Sequence, residues 1–392
     1  MNTDREILIE ETDLRCIAVI LDHGRLSHLA IDVASRPILA GSVYLGRVVR
    51  LSSRMNAAFV DLGGGVTGIL EASKMREKRR GARTAGQHFQ AGQTVMVQVR
   101  GEAGGDKALR LSQEIALIGR YLIHMPMKTG ISISRVIKDK SERKRAAALV
   151  SDFGSGFIVR SGALAADPVV VKHEARALMR RWGDIDNARS SSSGSIPCKL
   201  ADGPDAVERI LTDSGRGKVD RVEVDGKVTF SDASEWCSDF APDLLSRVRR
   251  YQGSPRLFDL RDVYPMLDTL LTPKVALADG GEIIIEPTSA LVSVDVNSGG
   301  WSNYFEVNVE AARELARQLR LRNIGGIVVI DFINMSERQA GQRVVEALTA
   351  ALADDPAQTD VYGMSRLGLV EMTRIRRGTP TAELIKESEE AV

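Results

Sequence analysis

Cysteine is scarce: Cys16, Cys198 and Cys237 are the three in 392 residues, and they lie far apart. With no CxxC and no histidine pair beside them, they exclude a disulfide framework and leave no structural zinc to expect. Long apolar runs are missing as well. None approaches the roughly 18 residues needed to span a bilayer. The N-terminus, Met1-Asn2-Thr3-Asp4-Arg5-Glu6, has no basic segment followed by an apolar stretch, so it does not read as a signal peptide. Net charge is nearly absent, with 53 Lys and Arg against 52 Asp and Glu. That balance excludes a polybasic protein in bulk, though not local basic patches. What is present is 43% hydrophobic residues, enough for a sizeable core, in a chain long enough for two or three domains. The expectation is a cytoplasmic, multidomain globular protein with no membrane span.

Short apolar runs open the chain: Ile7-Leu8-Ile9 and Cys16 to Leu21, with a hairpin turn expected at His23-Gly24-Arg25. The same texture continues over 38–118, where Val43-Tyr44-Leu45, Ala57 to Val60, Gly68-Ile69-Leu70 and Val95 to Val99 alternate with glycine-bearing turns. Short strands at regular spacing are the mark of a small closed barrel. A basic run, Arg76 to Arg83, interrupts it and reads as an exposed loop. From Glu114 the pattern becomes mixed α and β, with helices expected over Glu142–Asp152 and Lys172–Trp182 and a strand at Gly156–Val159. Ser190 to Ser195 is expected to break the pattern as a flexible linker. Mixed character resumes over 196–270. In 271–380 a strand precedes Leu291 to Asn297, a helix is expected over Asn308–Arg322, and Ile327 to Ile330, apolar on both faces, reads as a buried central strand.

Two carboxylates stand out against that background. Asp331 ends the run Ile327-Val328-Val329-Ile330, and Asp295 lies near the end of Leu291-Val292-Ser293-Val294, 36 residues earlier. Burying an isolated carboxylate costs several kcal/mol, so such a group needs a cation, strong hydrogen bonds or a proton. One helix fits between the two strands, which can therefore be neighbours in one sheet with both aspartates at the strand ends. Two aspartates there, with Asn297 on the same face, suit a hard, oxygen-ligated divalent ion such as Mg²⁺. Either aspartate alone could equally cap a turn.

Those residues resemble the ribonuclease E/G family. Val294-Asp295-Val296-Asn297-Ser298-Gly299, the run Ala316 to Met335, and Gly368-Leu369-Val370-Glu371-Met372-Thr373-Arg374 are similar to its long, ordered motifs. Weaker similarity extends upstream through Asn56 to Gly63 and Phe157 to Arg160. The resemblance implies an α/β multidomain architecture. An RNase H-like fold would come from 1–37 and 196–270, with an S1 (OB-type) β-barrel inserted at 38–118 and a 5′-sensor region at 119–195. A DNase I-like catalytic domain would span 271–380, followed by an acidic tail, 381–392. It implies a Mg²⁺-dependent endoribonuclease, with Mn²⁺ a substitute, that cuts single-stranded A/U-rich RNA in rRNA processing or mRNA decay.

Residue by residue, the resemblance makes Asp295, Asn297 and Asp331 catalytic, with both aspartates holding the metal. Arg160, Ser161, Arg135, Gly119 and Ile123 match the pocket for an RNA 5′-monophosphate. Phe59, Ile69 and Lys107 match the RNA-contacting positions of the barrel, Ile69 standing where a second aromatic is usual. The zinc-link of larger members is missing, so a homodimer or monomer is expected rather than a zinc-linked tetramer, and no degradosome scaffold region is expected. The loop between Asn297 and the following helix is shorter than the family's. That leaves a second reading open, a catalytically weak or inactive RNA-binding protein of the same fold. Arg47, Lys107 and the run from Arg76 should form a basic surface that makes RNA affinity salt-sensitive. Gly63-Gly64-Gly65-Val66-Thr67-Gly68 satisfies a dinucleotide-binding pattern but lacks the strand-to-helix setting, and reads as a barrel loop.

Overall fold

A computed structural model describes residues 5–37, 40–74, 84–103, 107–154, 156–192, 196–215, 217–278, 280–335, 337–353, 355–375 and 378–390. The chain forms two compact units, residues 1–25 with 29–253, and residues 254–392 with Leu26–His28.

Among the described residues the first unit contains three sheets. Arg5–Glu11, Arg15–Asp22 and Arg25–Val33 are consecutive strands, the last two joined at His23-Gly24, where both residues have positive φ. That geometry matches the twist of the strands it connects. Arg221–Asp225 adds in parallel to Arg5–Glu11, pairing Ile7 with Val222, and Val248–Arg250 extends the edge. Helices Ala206–Asp213 and Lys227–Phe240 supply Val207, Ile210, Leu211 and Ala233 to a core shared with Ile7, Ile9 and Ile20.

The barrel is built from Val43–Ser52, Ala57–Gly63, Val66–Glu71, Thr94–Ala103 and Lys107–Ser112, and closes by pairing of the first with the fourth strand. Val48, Val60, Leu70, Val97 and Leu111 fill it. Gly64 and Gly65 make the tight turn between its second and third strands with φ of +59° and +80°. The glycine-rich motif is thus a hairpin turn and not a phosphate loop. The basic run 76–83 lies outside the described residues. Strand Cys198–Ala201 pairs with Val43–Ser52 on the barrel.

A small sheet of Leu117–Ile118, Leu122–His124, Phe157–Val159 and Ile131–Ile133 packs against helix Pro168–Ser191. This helix is longer than the sequence pattern suggested and runs into the serine tract. Ser190, Ser191 and Ser192 return their hydroxyls to the carbonyls of Asp186, Asn187 and Ala188 at 2.9, 2.9 and 2.7 Å. That back-bonding gives each hydroxyl a partner within the helix, so the serines sit in its last turn where composition alone suggested a break. The preceding helix is Lys140–Ala148, with Ser151–Phe153 as a separate single turn.

The second unit is one six-stranded sheet, in the order Lys274–Ala276, Glu282–Pro287, Val292–Asn297, Gly326–Asp331, Val370–Arg374, Thr359–Met364. Helices Tyr304–Leu321 and Arg338–Leu352 cover one face, burying Val307, Ala311, Leu315, Leu319, Val344 and Leu348 against Val294, Val296, Val328, Ile330 and Met372. The first helix begins four residues earlier than its apolar period suggested, because the Asn303 side chain caps it at the Glu306 N–H. Gly326–Asp331 is central in the sheet but buried on one face only. Val328 and Ile330 are fully buried, whereas Ile327 is 52% exposed and Asp331 points to the same open face. The expectation of a strand buried on both faces is therefore corrected, since helices cover a single side. Arg374 ties this sheet together: its guanidinium grips the buried Asp355 carboxylate at 2.8 and 2.9 Å and donates to the Ile324 carbonyl at 2.6 Å. No helix among the described residues is long and apolar enough to cross a membrane.

Candidate active site and RNA interface

Strands Val292–Asn297 and Gly326–Asp331 run parallel, and their register sets Asp295 directly beside Asp331. Alternation does the rest. Val294 and Val296 point into the core, so Asp295 and Asn297 share the open face. Neighbouring strands lie about 5 Å apart, which brings two carboxylates side by side at the carboxyl ends of a parallel pair. Among the described residues neither aspartate has an ion-pair partner. Asn297 donates from Nδ2 to the Asp295 Oδ2 at 3.0 Å. Among the described residues no three His, Cys, Asp or Glu side chains converge, so this is a two-carboxylate site. Two adjacent like charges without a cation fit a divalent ion that keeps waters and substrate oxygens as its other ligands.

Asn308 holds the chain that leaves Asp331. It is fully buried in helix Tyr304–Leu321, donates from Nδ2 to the Ile333 carbonyl at 2.8 Å and accepts from the Ile333 N–H at 3.0 Å. Its sequence signal is an amide within the stripe Ala311, Ala312, Leu315 and Leu319, where only apolar side chains are expected.

On the barrel, cross-strand register places four residues in one row: Arg50 pairs with Phe59, Phe59 with Ile69, and Ile69 with Arg110. Phe59 and Ile69 are half-buried and both arginines are exposed. The Arg50 guanidinium lies 4.1 Å from the Phe59 ring centroid. A row that sets a ring and an apolar side chain between two cations offers a face for a base and charges for the neighbouring phosphates. Arg50 and Arg110 escaped the sequence reading because only register brings them level with Phe59. Lys107 opens the strand Lys107–Ser112, and its side chain lies outside the described residues.

In the small sheet, Ile131–Ile133 and Phe157–Val159 run parallel, so Arg135 and Arg160 leave the same end. Arg160 donates its N–H to the Tyr121 carbonyl at 2.8 Å and Nη1–H to the Gly119 carbonyl at 2.5 Å, and its Nη2 lies 3.9 Å from the Asp213 carboxylate. Ser161 follows at the start of a short 3₁₀ turn, Arg135 is exposed, and Ile123 pairs with Ile158 one step back from that end. The structure thus brings Gly119 and Arg160 into contact, with Ser161 next in the chain and Arg135 leaving the same end of the sheet.

Beneath this edge sits a residue the sequence reading missed. Glu174, fully buried, accepts N–H bonds from Tyr121 at 3.0 Å and Leu122 at 2.9 Å. Burial pushes its carboxyl up to about 7, against the opposing pull of those two amides. A Cβ at position 119 would collide with this carboxylate, so Gly119 is a packing requirement. The signal was a glutamate inside the apolar stripe Val171, Ala175 and Leu178.

Residues 116–377 match the Ribonuclease E/G family and residues 39–112 match the S1 RNA binding domain. Ribonuclease G of Escherichia coli (strain K12) is 34% identical over 393 residues, covering 95% of this chain and 80% of that protein. Ribonuclease G of Haemophilus influenzae is 32% identical over 95% of this chain and 79% of its own length. Ribonuclease E of Nostoc sp. is 33% identical over 98% of this chain, which spans 57% of that longer protein. The chain therefore belongs to the ribonuclease E/G family, as an endoribonuclease with an S1 RNA-binding domain.

Proposed function

We propose that this endoribonuclease cuts single-stranded, A/U-rich RNA with Mg²⁺, or Mn²⁺ in its place, and prefers substrates with a 5′-monophosphate. The observation that carries the reading is the side-by-side register of Asp295 and Asp331 on the open sheet face. Both carboxylates would hold the ion, and Asn297, already donating to Asp295, fixes the rotation of that carboxylate. The ion, when bound, lowers the pKa of a coordinated water and neutralises charge on the phosphoryl oxygens. Hydrolysis forms a bond from water oxygen to phosphorus and breaks the bond to O3′, leaving a 5′-phosphate and a 3′-hydroxyl. Asn308 keeps the backbone after Asp331 in place through its paired bonds to Ile333.

For 5′-end sensing, Arg160 supplies a guanidinium fork and Ser161 a hydroxyl, with Arg135 beside them and Gly119 and Ile123 as the floor. A terminal phosphate monoester takes several charge-assisted hydrogen bonds, which an RNA ending in a hydroxyl cannot. Phe59 and Ile69, flanked by Arg50 and Arg110, with Lys107, would track the single strand.

The antiparallel strands of 5–33, extended in parallel by 221–225 and 248–250, support an RNase H-like reading of 1–37 with 196–270, interrupted by the S1 barrel (38–118) and the sensor region (119–195). The mixed sheet covered by helices on one side supports a DNase I-like reading of 271–380. Action in the cytoplasm as a homodimer, in rRNA processing or mRNA decay, is part of the same proposal.

The test is cleavage of one labelled A/U-rich RNA made with either a 5′-monophosphate or a 5′-hydroxyl, in Mg²⁺, Mn²⁺ and EDTA. Faster cutting of the monophosphate form, lost in EDTA and equalised by Arg160→Ala, is expected. Equal rates on both RNAs with the parent protein would remove the sensing assignment, and cutting in EDTA would remove the metal.

A further inference from the structure

The chain has three tryptophans, and one of them, Trp301, lies on the loop that follows Asn297. Trp301 lies four residues beyond Asn297, on the loop that leaves the carboxyl end of Val292–Asn297. Four residues of chain reach at most about 14 Å, so Trp301 stays on the side of the sheet end that carries Asn297. It is 47% exposed, and Tyr304, three residues on, is 45% exposed. Among the described residues no aromatic ring or guanidinium stacks on Trp301.

The loop is built to hold it. The Trp301 N–H donates to the Ser298 carbonyl at 3.1 Å, closing a tight turn. Gly299 has φ of +59°, and a Cβ there would strike the Gly280 carbonyl. A Cβ at Gly280 would come within 2.9 Å of the indole Nε1. The turn and the facing Gly280-Gly281 corner therefore interlock backbone to backbone, and the indole edge rests against Gly280. An aromatic in this position buries too little to serve the core, while the backbone that carries it is held by the turn and by the close approach of Gly299 to Gly280. Half-open rings at a nucleic-acid site are where bases stack, since every base has a π-face.

We propose that Trp301 is a stacking platform for one base of the single-stranded RNA, at a nucleotide flanking the scissile phosphate. The inference rests on Asp295 and Asp331 marking the cleavage site. It gives the short loop after Asn297 a function: a compact turn that presents one ring at the sheet end that carries the metal-binding carboxylates.

The experiment measures RNA binding and single-turnover cleavage for the parent protein, Trp301→Ala and Trp301→Phe. The substrates are one labelled RNA and a set of copies each lacking a single base near the cut. Trp301→Ala should weaken binding of the intact RNA on the order of tenfold, with Trp301→Phe retaining most of it. At one abasic position the parent should lose that same factor and Trp301→Ala should lose nothing more. Losses that simply add at every abasic position, or an unchanged Trp301→Ala, would overturn the proposal. Should Trp301→Ala melt early, Trp301→Leu, which keeps an apolar side chain of some bulk but removes the ring, decides against the abasic set by the same non-additivity. Asp331→Ala run in parallel separates the two readings. If it cleaves normally, the location of the site is wrong; if it is dead while the losses add, only the stacking assignment falls.

Discussion

Replacing Glu174 by glutamine gives a prediction whose size follows from the structure. In the folded chain its carboxyl sits at about 7, raised from an ordinary value of 4.5 by complete burial. Between those values the folded state binds a proton that the unfolded state has released. Stability from this group is therefore full below about 4.5, falls as pH rises through 7, and levels off above. A shift of that size corresponds to at most about 3 kcal/mol between pH 4.5 and 8. Glutamine can still accept from the Tyr121 and Leu122 amides through Oε1, losing only the weaker 3.3 Å contact of Tyr121 to the second oxygen. Urea unfolding of the parent and Glu174→Gln at pH 5, 6, 7 and 8 measures the difference directly. The variant should gain on the parent from pH 5 to about 7 and then level off, by about 2 to 3 kcal/mol in total. A constant difference across that range would refute the buried, high-pKa assignment. Because the same amides shape the edge that carries Gly119 and Arg160, the 5′-monophosphate preference should persist in this variant and disappear in Glu174→Leu, which cannot accept either bond.

Four further outcomes follow. Phe59→Ala should weaken RNA binding by about 1 to 3 kcal/mol, and Arg110→Gln should flatten the plot of log affinity against log salt by about 0.7, both read from filter-binding titrations. Asn308→Leu removes both bonds to the Ile333 backbone and should destabilise the second unit by about 1 to 3 kcal/mol, with cleavage lost while RNA binding is kept; thermal melts and single-turnover rates check the two halves. Arg374→Met strands the fully buried Asp355 carboxylate and should cost about 3 to 5 kcal/mol by denaturant unfolding, with an Asp355→Leu, Arg374→Met double variant recovering much of the loss.

Much of this was legible in the sequence because local pattern and tertiary structure agree. The period-2 runs of 43–112 could only be strands, and the turn at His23-Gly24 announced itself through its residues. The pairing of Asp295 with Asp331 followed from two apolar strands separated by a single helix. What stayed hidden depended on register or on what covers a surface. Ile327 and Val329 look like core residues, and only the placement of both helices on one side of the sheet leaves them facing outward with Asp331. Arg50 and Arg110 are 60 positions apart, and nothing local predicts that they flank Phe59 and Ile69 in one row. Glu174 and Asn308 each carried a signal, a polar residue on an apolar helix stripe, but its meaning needs the backbone atoms they bind. The serine tract shows the reverse error: composition suggested a break where the helix runs on to Ser191, with the serine hydroxyls bonded to its carbonyls.

The most direct test of the central claim is single-turnover cleavage by Asp295→Asn and Asp331→Asn beside the parent protein, with RNA binding measured in the same samples. Each substitution keeps the shape of an exposed side chain and removes one charge of the pair. The expected result is RNA binding close to the parent's with cleavage reduced by orders of magnitude in both variants. Parent-like cleavage in either one would contradict the assignment of the paired aspartates as the catalytic site.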